Sequence, residues 1–124
     1  MQRFKVTEPV FDTTIHFVFG TVAEGDRVAT KVLGKQKPED LGLVRGGLTR
    51  WKEDVEDIPN AVFIVYINED ADKTELQRVI IHEVSHVVDL VFKRHAIDPG
   101  WEATELRSRM TAYFSVYAME RVCP

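Results

Sequence analysis

The stretch Thr74-Glu75-Leu76-Gln77-Arg78-Val79-Ile80-Ile81-His82-Glu83-Val84-Ser85-His86-Val87-Val88-Asp89-Leu90-Val91-Phe92 decides how this chain is read. Thr74 followed three residues later by Gln77 has the spacing of a capping box, so a helix is predicted to begin there. On that helix His82 and His86 are one turn apart and leave the same side, with Glu83 projecting beside them. Two imidazoles so spaced can converge on one metal ion while the carboxylate stands at its open position. Water activation in a metallohydrolase needs that arrangement.

The pattern has three fixed positions, and at this composition a chance match is expected on the order of 1% of the time. Its surroundings sharpen it. Val79-Ile80-Ile81, Val87-Val88 and Leu90-Val91-Phe92 make the helix apolar, and two histidines, a glutamate and Asp89 are costly to bury in it without a role. The plain alternative is a packed, hydrogen-bonded histidine pair.

Working upstream, Ala61-Val62-Phe63-Ile64-Val65-Tyr66-Ile67 is the strongest strand signal, ended by Asn68-Glu69-Asp70. Thr14 to Gly20 reads as a strand buried on both faces. Ala23 to Leu33 carries Val28, Ala29, Val32 and Leu33 at helical spacing, with Gly34 at the C-cap. The stretch from Gly34 to Gly47 is a connecting loop, with one helical turn allowed near Pro38 to Leu43. Leu48 to Trp51 is a candidate short strand, and Asp54 to Asn60 an acidic turn region. Downstream, Lys93-Arg94 suits the negative end of the helix dipole, and Asp98-Pro99-Gly100 breaks the chain. Ala103 to Val122 then reads as a long final helix with Leu106, Met110, Tyr113, Phe114 and Tyr117 on its apolar stripe.

This order predicts an α+β fold: a small mixed β-sheet of about three strands with all its helices, the histidine helix and the C-terminal helix among them, against one face. The strand just before the histidine helix is expected to flank the site. A chain of 124 residues supports one domain and one core. A net charge of -4 offers no basic patch for phosphates, so nucleic acid is not an expected partner. Lys31, Lys35 and Lys37, the densest basic group, read as a solvated face. Cys123 is the single cysteine, which excludes an intrachain disulfide and a cysteine-based zinc cluster. No stretch resembles a signal peptide or a membrane span, and the expected setting is cytoplasmic.

A catalytic zinc normally has three protein ligands and one open position. Glu105 is the foremost candidate for the third, nineteen residues beyond His86, near the start of a helix that can run back antiparallel. Glu102, one turn earlier, and His95 are rivals. The metzincin spacing is absent, because Asp89 and Phe92 stand where that pattern needs Gly and His.

A His-Glu-x-x-His helix, a loop and a helix supplying a glutamate resemble the gluzincin branch of zinc metallopeptidases in its smallest versions. They are also similar to short zincin-like proteins of phage genomes, in which tyrosines follow that glutamate. The resemblance covers roughly Ala61 to Val122, and before that only the order of elements. It implies that His82, His86 and Glu105 ligate Zn2+ and that Glu83 is the general base of peptide hydrolysis, in a host cytoplasm if the chain is phage-encoded. Arg109 departs from it, standing one turn after Glu105 where those proteins tend to carry an aromatic residue. It can pair with Glu105 or hold substrate.

Asp89 falls on the ligand face and can accept an imidazole N–H, or be a surface aspartate. Tyr113, Arg109 and His95 are candidate oxyanion donors. His16, on a strand, reads as structural or exposed, and Trp51 and Trp101 as core or rim residues. A peptide or protein substrate is expected to lie extended against Ala61 to Ile67. Two alternatives stand beside the peptidase. One is a non-catalytic, zinc-bearing interaction protein on the same scaffold, such as a phage-encoded modulator of a host protein; the other is a metal-free helical binding module.

Overall fold

The valines and isoleucines of the central strands set the architecture. In the computed structural model, which describes residues 1–34, 47–51, 62–97 and 100–123, β1 (Gln2–Thr7), β2 (Thr14–Gly20), β3 (Gly47–Trp51) and β4 (Val62–Asn68) form one sheet. Its order is β1-β2-β4-β3. β2 and β4 run parallel at the centre, and β1 and β3 pair antiparallel to them at the edges. The class is α+β with a mixed sheet, as expected, but with four strands. β1 is the strand that the sequence reading leaves out. Its Phe4 and Val6 turn to the core, while Arg3 and Lys5 turn away.

The helices occupy both faces of the sheet, which corrects the expectation of one covered face. α1 (Val22–Leu33) buries Val28, Ala29 and Leu33 against Val18 and Ile64 on one side. α2 (Lys73–Arg94) and α3 (Trp101–Val122) cover the other, where Ile15, Phe17, Phe63, Val65 and Ile67 meet Ile80, Val84, Val87, Val88, Val91 and Phe114. The cause is strand alternation: successive side chains of β2 and β4 are apolar on both faces, so each face needs cover. No helix among the described residues is long and apolar enough to cross a membrane.

α1 starts on a capping box. Thr21 Oγ1 accepts from Glu24 N–H, and Glu24 Oε1 accepts from Thr21 N–H at 3.0 Å. The Thr21 N–H first, and then the Thr21 hydroxyl, donating to Glu24 Oε1, hold the Glu24 carboxyl below its ordinary pKa. Gly34 ends the helix with φ 85°, the left-handed region that a glycine adopts without strain. α2 differs from its expected start. It begins at Lys73 with Asp72 as N-cap and no side-chain capping bond, so Thr74 lies inside the first turn. Gly34 to Gly47 and Asp54 to Asn60 lie outside the described residues except for the two terminal glycines, as do Asp98 and Pro99.

Three contacts orient the layers. Arg50 of β3, buried, ion-pairs with Asp26 of α1. Arg107 of α3 ion-pairs with Asp89 of α2 and lies over the Phe92 ring, 4.9 Å from its centroid. Tyr117 Oη donates to the Lys5 carbonyl at 2.9 Å, tying α3 to β1.

Two predictions follow from this packing. A Cβ on Gly25 would stand 2.6 Å from Tyr66 Cδ2, and the Tyr66 hydroxyl is itself held at 3.2 Å by the Gly20 carbonyl. Gly to Ala at an open helix site gains about 1 kcal/mol, whereas overpacking costs about 1–3 kcal/mol. Gly25→Ala is therefore expected to lower the unfolding free energy in denaturant titration; a gain of about 1 kcal/mol would show that the helix has room to shift.

The second concerns His16, half-buried on β2, whose imidazole pKa is lowered by burial first and then by Arg3 and Lys5. The unfolded chain then binds the proton more readily, so this contribution to stability is present above the ordinary histidine pKa and lost as pH falls through the folded one. Unfolding midpoints should decline less between pH 7.5 and pH 5 in His16→Gln than in the unchanged chain. Parallel declines would contradict this.

Candidate metal centre

The side of α2 that packs on the sheet determines where its polar residues go. With Ile80, Val84, Val87, Val88 and Val91 fully buried, residues 82 and 86 fall on the opposite side of a helix that turns 100° per residue. His82 and His86 are accordingly exposed. They escape the burial cost that their apolar neighbours suggest, and they are not a packed core pair. Their Nε2 atoms are 3.1 Å apart, the ring centroids 4.7 Å apart, and the planes near perpendicular at 88°.

That separation bears on metal binding. Two nitrogens each 2.0–2.1 Å from a tetrahedral ion stand about 3.3 Å apart along an edge of the tetrahedron. The observed spacing is within a few tenths of an ångström of it. Glu83 completes the group: its carboxylate and the two imidazoles have ligand atoms all within 4.8 Å of one another. These residues could hold a metal ion.

Glu83 differs from the histidines in being 6% exposed. It leaves α2 toward β3, where Thr49 Oγ1 lies 3.1 Å from Glu83 Oε2 and 3.1 Å from the Glu83 carbonyl oxygen. Gly47 makes this approach possible. A Cβ there would meet the Tyr66 carbonyl oxygen at 2.6 Å, Val79 Cγ1 at 2.8 Å and Glu83 Cγ at 3.1 Å. The strand that flanks the group is therefore β3. β4, the expected one, is paired on both edges and offers none to an extended peptide. Thr49 is the residue that sequence reasoning missed. It lies 34 positions from Glu83, and only the strand order brings the two together.

The other candidates lie elsewhere. Glu105 is exposed on α3, its Oε1 accepting from Arg109 Nε at 3.1 Å, and it stands outside the group. It precedes Met110 by five residues and Phe114 by nine, roughly 140–180° around the helix from its buried face. Glu102 is exposed and lines an open cavity of about 490 Å³ with Ile97, Trp101 and Leu106 at the turn between α2 and α3. His95 caps the end of α2, about 13 Å of helical rise beyond His86, with its ring 4.5 Å from Phe11. Asp89 pairs with Arg107. Tyr113 is half-exposed with its ring edge-on to Phe114. Trp101 is 84% exposed, a rim residue rather than a core one.

No protein-family model, curated protein or solved structure matches this chain, so the group at His82, Glu83 and His86 stands on its own geometry.

Proposed function

We propose that this chain is a zinc-dependent hydrolase of peptide bonds, whose His-Glu-x-x-His helix is similar to that of small gluzincins. The observation that carries the reading is the convergence of His82 and His86 at 3.1 Å with Glu83 beside them. Neutral imidazole nitrogens at that spacing suit zinc among the common divalent ions. A zinc ion held there supplies Lewis acidity and a water that ionises near neutral pH.

The chain's own residues do the rest. Glu83 takes the proton of the attacking water at its carboxylate and returns it to the leaving amine. Its burial beside Thr49 fixes the direction from which it acts. β3, next to the group, is an edge strand among the described residues, and such an edge can take an extended peptide through backbone hydrogen bonds. His82 and His86 stay open to solvent, so a protein or peptide substrate reaches them without a lid among the described residues.

One rival reading has support of its own. Glu105, engaged by Arg109, lies outside the group, and two histidines alone are fewer protein ligands than a catalytic zinc normally has. A zinc-bearing interaction protein needs neither a third ligand nor an oxyanion donor.

Metal analysis and hydrolysis assays on one set of variants separate the two. The unchanged chain is expected to hold one zinc, His82→Ala and His86→Ala to lose it, and Glu83→Gln and Glu105→Ala to keep it. Glu83→Gln should lower peptide hydrolysis by about a hundredfold or more with zinc retained. An unchanged chain that holds zinc but cleaves no member of a broad peptide library supports the interaction protein. One that binds no zinc removes both.

A further inference from the structure

The general base of the proposed reaction lies in an unusual position for a carboxylate. Glu83 is 6% exposed, on the flank of α2 that meets β3 rather than on the open side with the histidines. A buried carboxylate is costly unless hydrogen-bonded. Thr49, itself 9% exposed, provides that bond from across the sheet edge.

We propose that Thr49 is the positioning residue of Glu83: its hydroxyl holds Oε2 and leaves Oε1 to take the proton of the attacking water. The inference rests on the hydrolase reading for its catalytic consequence, but the placement itself does not. Three features carry it. The Thr49 hydroxyl is 3.1 Å from both Glu83 Oε2 and the Glu83 carbonyl oxygen and shares its one proton between them, which ties the carboxylate to the helix that bears it. Thr49 is opposite Val65 in the central register, which anchors it in the rigid sheet rather than in a loop. Gly47, two residues away on the same face of β3, lets the strand and α2 approach closely enough for the bond to form.

A second consequence concerns the metal. The Glu83 carboxylate lies within 4.8 Å of the imidazole nitrogens, close enough to swing onto an ion held by them. A carboxylate that does so takes the position a reacting water needs. Thr49 opposes this by holding Oε2 toward the sheet, which limits how far the carboxylate can swing toward the ion. The residue thus keeps Glu83 as a base and out of the ligand set, which is a role for a neighbour of the ligands rather than for a ligand.

Thr49→Val keeps the shape and the β-branching and removes only the hydroxyl, and Thr49→Ser keeps the hydroxyl. Both are compared with the unchanged chain after loading with zinc for assays and with cobalt(II) for visible absorption. Thr49→Val is expected to hold one metal per chain, to show a cobalt spectrum shifted by the incoming carboxylate, and to lose about ten- to a hundredfold in kcat with KM little changed. Thr49→Ser is expected to restore both spectrum and kcat to within a few-fold. A Thr49→Val chain with the unchanged cobalt spectrum overturns the proposal, as does one that fails to fold, which would assign the hydroxyl to stability alone. If the unchanged chain binds cobalt but hydrolyses nothing, the hydrolase reading fails by itself, and the spectra still decide the placement of Glu83.

Discussion

The packing of α2 on the sheet is the constraint on which the rest of the structure depends. Val84, Val87, Val88 and Val91 are fully buried against a sheet face built from Ile15, Phe17, Val65 and Ile67. Each buried side chain of this kind contributes about 1.5–3 kcal/mol, so the rotation of the helix about its axis is strongly determined. Once that face is fixed, the others follow. Residues 82 and 86 point to solvent, and residue 83 points to β3. A turn of the helix by one residue would bury an imidazole and expose a valine. The group that could hold a metal ion is thus a by-product of apolar packing, held in position by side chains outside it.

The sheet performs a second service through its order. Because β3 follows α1 in the chain yet pairs outside β4, the edge next to α2 belongs to a strand remote in sequence. That edge carries Thr49 to the buried carboxylate. β1, at the opposite edge, is tied to α3 through Tyr117. Both edges are therefore fastened to helices, β1 to α3, and β3 to α1 through Arg50 and to α2 through Thr49.

Much of this was legible from the residues. β2, β4 and α1 appear within a residue of their expected limits, because apolar runs and the Gly34 cap are local signals. β1 was not legible, since Gln2-Arg3-Phe4-Lys5-Val6-Thr7 offers only two inward apolar residues and its pairing with β2 supplies the rest. His82, Glu83 and His86 come together as their spacing requires, because a helix imposes that geometry by itself. Glu105 depended on how two helices rotate against each other. The stripe of Met110, Phe114 and Ala118 turns it to solvent, and spacing from His86 alone carries no information on that rotation. Thr49 depended on a contact between elements 34 residues apart, for which the sequence holds no local sign.

The most direct measurement is X-ray absorption at the zinc edge of the zinc-loaded protein. The account predicts scattering from two imidazole rings with nitrogen at about 2.0–2.1 Å. A spectrum with no imidazole scattering, showing only water or carboxylate oxygen around the ion, would contradict it.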